Sequence, residues 1–157
     1  MPFEMQPARQ KGSAGNVPDV VTLLAASLTI SKGQVVKNSA GTAIVHPLVT
    51  NVLLVYGVTL EADVSGTSDG PDSTLLHIAR ADTLTEFVSK VVNSSGVVQT
   101  DLSGLSVGDT HGILTNSNQD YVDQDDTTNV LVTLTKIDDE LNVVWFTFIP
   151  STLDPAQ

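Results

Sequence analysis

The spacing of turn residues constrains this chain more than any other feature. Ser27 to His46, SLTISKGQVVKNSAGTAIVH, reads as three short strands parted by a Lys32-Gly33 turn and a Ser39-Ala40-Gly41 turn. Between the turns stand Val, Ile and Thr, whose branched Cβ favours a pleated backbone over a helix. The pattern continues, with candidate strands at 20–25, 27–31, 34–38, 42–46, 51–64, 74–81, 111–116, 129–137 and 142–149. Polar Gly/Ser/Asn/Asp stretches at 65–73, 93–96 and 117–129 separate them. About ten short strands at such spacing predict an all-β chain, a compact β-sandwich or barrel. Gly57, inside the long apolar run 51–64, marks a bulge or a close backbone approach. Asp82 to Val92 fits two readings. Leu84, Phe87, Val88 and Val91 have helical spacing behind a capping Asp82, while TEFVSKVV also reads as a strand. Neither a tandem repeat nor a linker is evident, so 19–150 reads as a single β domain. An extended N-terminal arm, 1–18, precedes it, and a polar tail, 151–157, follows.

Hydrophobic residues make up 41% of the 157 and aromatics 4%, so the core has to be built from Val, Leu and Ile. Cysteine is absent, which excludes disulfide staples and thiolate chemistry. The last two strands, NVLVTLTKI and NVVWFTFI, are apolar on both faces. One face can fill the core; the other, with Trp145, Phe146 and Phe148 as candidates, is expected to meet a partner or a second copy.

The net charge of −11 is unevenly spread, +2 over residues 1–40 and −13 over 41–157. An acidic body repels nucleic acid and anionic membranes, so neither is an expected partner. The run VVTLLAASL is preceded directly by Pro18 and Asp19, which argues against a secretion signal. No apolar stretch approaches the ~20 residues that span a bilayer. The chain reads as soluble and made in a cytoplasm. The arm is rich in Gly and Pro and too polar to bury itself, so it is expected to order on a neighbour. Phe3, Met5 and Pro7 would supply its apolar contacts, and Arg9 and Lys11 its pairing charges.

Reactive constellations are scarce. His46, His77 and His111 share no metal-binding spacing, and read as turn residues beside Pro47 and Gly112 and as a packed strand residue. The chain lacks a G-x-S-x-G elbow, a G-x-G-x-x-G fingerprint and a phosphate loop. Asp69 and Asp72, and Asp120, Asp123, Asp125 and Asp126, form two acidic loops. Their spacing departs from the calcium pattern D-x-[DN]-x-[DN]-G, so solvated loops are expected rather than a metal site. The reading is of a chain that is not an enzyme and has no catalytic residue, metal or cofactor.

LTISKGQVVKNSAGTAIV followed by VLLVYGVTLEADVSG resembles the head decoration (cement) proteins of tailed bacteriophages. The shared pattern is an apolar strand, Lys32-Gly33, Val35-Val36, a small-residue turn, then Gly57-Val58 and Leu60-Glu61 ending at Gly66. The later stretch from Val107 to Ile149 looks like the closing half of such proteins. The resemblance covers about two-thirds of the chain and leaves out the arm and 82–100. It implies a β-rich domain, usually trimeric, made in the host cytoplasm and bound to the major capsid protein on the outside of the virion head. Two other classes stay open beside it. One is a different virion β-module of the tail or baseplate. The other is a carbohydrate-binding module, for which Tyr121 in the acidic loop is the best aromatic platform.

Overall fold

The computed structural model describes residues 5–10, 20–25, 29–39, 42–48, 54–60, 64–65 and 75–154. The fold is all-β, with thirteen strands among the described residues. They are β1 (Gln6–Gln10), β2 (Val20–Ala25), β3 (Thr29–Ile30), β4 (Val35–Ser39), β5 (Thr42–Val45), β6 (Gly57–Thr59) and β7 (Val64–Ser65). There follow β8 (Leu75–Arg80), β9 (Thr85–Val92), β10 (Thr110–Asn116), β11 (Gln119–Asp123), β12 (Val132–Asp138) and β13 (Val143–Phe148). Within the ambiguous stretch Asp82–Val92, Thr85–Val92 is thus a strand. Asp82 caps it by accepting the N–H groups of Leu84 and Thr85 on Oδ1, at 2.8 and 2.7 Å. β9 is buried on both faces, which is why its apolar residues also matched a helical spacing.

Strands β2-β5-β4-β6-β8 close into a barrel. The second sheet has the order β1-β9-β11-β10-β12-β13, and β13 also pairs with β9. That pairing closes a second five-stranded ring, β9-β11-β10-β12-β13, with β1 added along β9. The two rings have the same topology. In each, the first strand runs parallel to the third, and every other neighbouring pair is antiparallel.

The correspondence reaches single hydrogen bonds. Gly33 N–H donates to Thr59 C=O at 3.0 Å, and Gly108, 75 positions on, donates to Leu134 at 2.8 Å. Thr59 donates back to Gln34, as Leu134 does to Asp109. Tyr56 donates to Val36, as Leu131 does to His111. The turn before the second strand is built identically. Ser31 N–H bonds the Gln34 side chain at 2.8 Å and Ser106 N–H bonds the Asp109 side chain at 2.7 Å. Gly33 and Gly108 take φ of 79° and 96°, a conformation costly for any residue with a Cβ. The chain contains the same architecture twice, which corrects the expectation of no repeat; in sequence the two turns share Ser31-x-Gly33 and Ser106-x-Gly108.

The two barrels share packing. Ile30, Val36, Ala43 and Ile78 fill the first. On the opposite face of the same strands, the paired residues Val35, Val58 and Ala79 join one large buried cluster with Phe87, Ile113, Val122, Leu134, Phe146 and Phe148 of the second. The three phenylalanine rings pack at centroid distances of 5.3 to 6.0 Å. Residues 151–154, read as a tail, tie in as well. Val55 donates to Thr152 C=O at 2.7 Å and accepts from Asp154 N–H at 3.0 Å.

The arm reading is corrected for residues 5–10. β1 pairs with β9 of its own chain, and Met5 is fully buried in the shared core. An edge strand satisfies its backbone through a ladder, so a polar sequence can dock without burying every side chain. The remainder of 1–18 lies outside the described residues.

Gly57 serves a close approach. A Cβ there would collide with the Ala79 carbonyl and the Ile78 side chain across the β6–β8 pair. Gly57→Ala is therefore expected to cost about 1–3 kcal/mol, read as a lower urea midpoint. The repeat yields a second expectation. His111 stands where Val36 stands in the first barrel; it is buried, and neither ring nitrogen has a hydrogen-bond partner among the described residues. His111→Val should raise stability by about 1–2 kcal/mol, measured as a higher melting temperature, since it removes buried unsatisfied polar atoms at nearly constant volume.

Candidate binding surface

The contact residues expected from sequence separate into different environments. Phe146 and Phe148 lie in the core, so they cannot serve a partner. One face of β12 and β13 turns into the core, and the other lies along the outside of the barrel with most of its residues half-buried or exposed. Trp145 is on that outer side, half-buried, with Lys136 Nζ 4.9 Å from its ring centre. Met5 is buried, and Arg9 is placed on β1 opposite Glu86. Phe3 and Lys11 lie outside the described residues.

The histidines differ from their expected placements. His46 is buried just after β5, and its Nδ1 accepts Leu48 N–H at 2.8 Å. Burial, helped by the charge of Lys37, lowers its pKa to about 4, so it stays neutral at physiological pH. His77 is an exposed strand residue, and His111 points into the second barrel.

The acidic stretch expected as a solvated loop is corrected in part: Asp120 and Asp123 lie in strand β11, and only Asp125 and Asp126 are in the loop after it. Asp123 accepts Asp125 N–H, Asp125 accepts Ser94 N–H, and Asp126 accepts the N–H groups of Thr128 and Asn129. Among the described residues, no three His, Asp or Glu side chains gather around a common point. Asp69 and Asp72 lie outside the described residues. Tyr121, the aromatic platform expected for a sugar, is buried in β11.

Asp120 joins the two barrels. Its carboxylate is fully buried; Oδ2 accepts Val35 N–H of β4 at 2.7 Å, and Oδ1 accepts the Thr115 hydroxyl. Burial pushes its pKa up to about 6, against the pull of those two donors.

Negative charge falls on one side of the repeat. Residues 20–81, which hold the first barrel, have a net charge of −1, and residues 82–154 have −10. Among the residues whose burial is described, the large apolar side chains that stay exposed are Leu84, Val97, Val98, Val107 and Leu141. Sequence reasoning missed them. The available signal was their setting, a valine between Ser106 and Gly108 and a leucine in the turn Asp138–Asn142, where polar residues usually stand. Compared with known proteins, the chain matches no family, no curated protein and no solved structure. Fold and surface together define a two-barrel β protein with a one-sided distribution of charge.

The buried Asp120 sets a pH dependence. Its pKa is raised on folding, from 3.8 to about 6, so the protonated form is favoured in the fold. Stability from this group is greatest below pH 3.8, falls as pH rises to about 6, and stays level above. The span is on the order of 3 kcal/mol. Urea titrations of wild type and Asp120→Asn across this range should show the wild type losing ground to the variant as pH rises. A constant difference between the two would contradict the assignment.

Proposed function

We propose that this chain is a structural protein of a tailed-bacteriophage head, decorating the outer capsid surface and stabilising the shell by binding the major capsid protein. The observation that carries the reading is the concentration of negative charge on the second barrel, which also presents the exposed aliphatic side chains Val97, Val107 and Leu141. Closed barrels leave few free edges and make a stiff body. An exposed apolar group within a strongly charged surface suits attachment to a protein. The resemblance narrows the class of partner. Its motif residues Lys32-Gly33, Val35-Val36 and Gly57-Val58 make the turn and the two adjoining strands of the first barrel. A module that binds the assembled lattice better than free subunits raises shell stability by mass action, with no reactive group.

Trimer formation and a place on the virion surface belong to the same reading through the resemblance. Of the aromatic residues of the β12–β13 hairpin, Phe146 and Phe148 are in the core, and Trp145 lies half-buried on the outer face. The carbohydrate-binding reading loses its aromatic platform with the burial of Tyr121.

The test is to add purified protein to phage heads that lack a decorating layer. Saturable binding is expected, weakening as salt rises, with heads that survive hotter incubation. Sedimentation of the free and the bound protein gives the oligomer number. Heads that neither bind the protein nor gain heat resistance would reject the proposal.

A further inference from the structure

The repeat provides an internal comparison for one end of each barrel. In both, the first and fourth strands finish at this end and the second and fifth begin there. In the first barrel the two connections at this end carry β3 and β7, which pair with each other. Ile30 of β3 is fully buried under that small sheet, against Val36, Ala43 and Ile78.

The second barrel has no such cover among its residues, all of which are described. Its β9–β10 connection, 93–109, and its β12–β13 turn, 139–142, do not form a strand pair. Leu105, the counterpart of Ile30, packs on the core but remains partly exposed. The two connections carry exposed apolar side chains, Val97 at 58%, Val98 at 41%, Val107 at 64% and Leu141 at 66% exposure. The counterpart of Val107 in the first barrel is Lys32. Segments 93–109, 124–126 and 138–142 carry seven carboxylates and no Lys or Arg, and Lys136 of β12 reaches one of the seven, Asp138, at 3.5 Å.

We infer that this uncovered end of the second barrel is a docking face for a protein surface rich in Lys and Arg side chains, with Val107 and Leu141 as apolar anchors. The carboxylates select the partner. A nucleic acid or an anionic membrane is repelled, and a second copy brings the same excess of acid, −11 over the whole chain. A basic protein surface gains both the apolar contact and the charge attraction, the first governing dissociation and the second the encounter. The inference rests on the decoration reading only for the partner's identity.

The test places a photoreactive phenylalanine analogue at Val107, at Leu141 or, as a control at the opposite end, at Leu84 in the full chain, in cells that naturally make the protein. Irradiation should join positions 107 and 141, but not 84, to a Lys/Arg-rich segment of another protein. Asp139→Lys with Glu140→Lys, both exposed, should cut that yield at least about tenfold while leaving the melting temperature of the isolated protein unchanged. If the captured chain is the major capsid protein, both readings stand. If it is a different protein with a basic contact segment, the docking face stands and the decoration reading falls. Products only with a second copy of this chain, equal products from position 84, no product from 107 and 141, or indifference to the charge reversal would each overturn the inference.

Discussion

Closing five strands into a ring removes the free edges of a sheet, and this chain does so twice. The consequence is clearest at β9. Residues 87 and 88 pair with β13 on one side and β1 on the other, and residues 91 and 92 pair with β11. One strand therefore closes the second barrel and anchors the N-terminal segment. Its sequence suits that position, because no buried residue of β9 is bulkier than Phe87 and both faces accept burial. In a chain without disulfides, such closure replaces the cross-link as a means of restricting the backbone.

Joining the barrels uses the back of the first one. Val35 and Val36 are adjacent in sequence and point to opposite faces, Val36 into its own barrel and Val35 into the cluster shared with the second. The Val35 N–H is held by Asp120, so the junction contains a buried carboxylate as well as apolar contacts. A carboxylate can accept two donors at once, which ties Val35 and Thr115 to the same group. Its cost is desolvation, which is why the junction responds to pH.

The copies differ in their cores, where His111 stands for Val36, and at their ends and in their charge. The hydrogen bonds that close the rings are kept. The first copy is nearly neutral and covers one end with β3 and β7; the second holds most of the acid and leaves the same end open. A repeated scaffold with one altered face is a simple way to make a polar body from two equal halves. Function then resides in the altered face rather than in the fold.

Turn spacing and β-branched composition determined by themselves that the chain is all-β, because those are local preferences of single residues and turns. The Lys32-Gly33 turn, the strand at Val35, the close approach at Gly57 and the final hairpin were all legible for that reason. The repeat was not, since its two halves share backbone hydrogen bonds that many side chains can support. Tertiary structure alone decided that Thr85–Val92 is a strand, because a strand buried on both sides loses its period-2 signature. It also decided which face of β13 is core. Phe146 and Phe148 look like contact residues until the barrel closes around them. Val107 and Leu141 drew no notice until the turns holding them were placed at the same end of one barrel. Exposure depends on what lies across the fold, and neighbours far apart in sequence are set only when the chain packs.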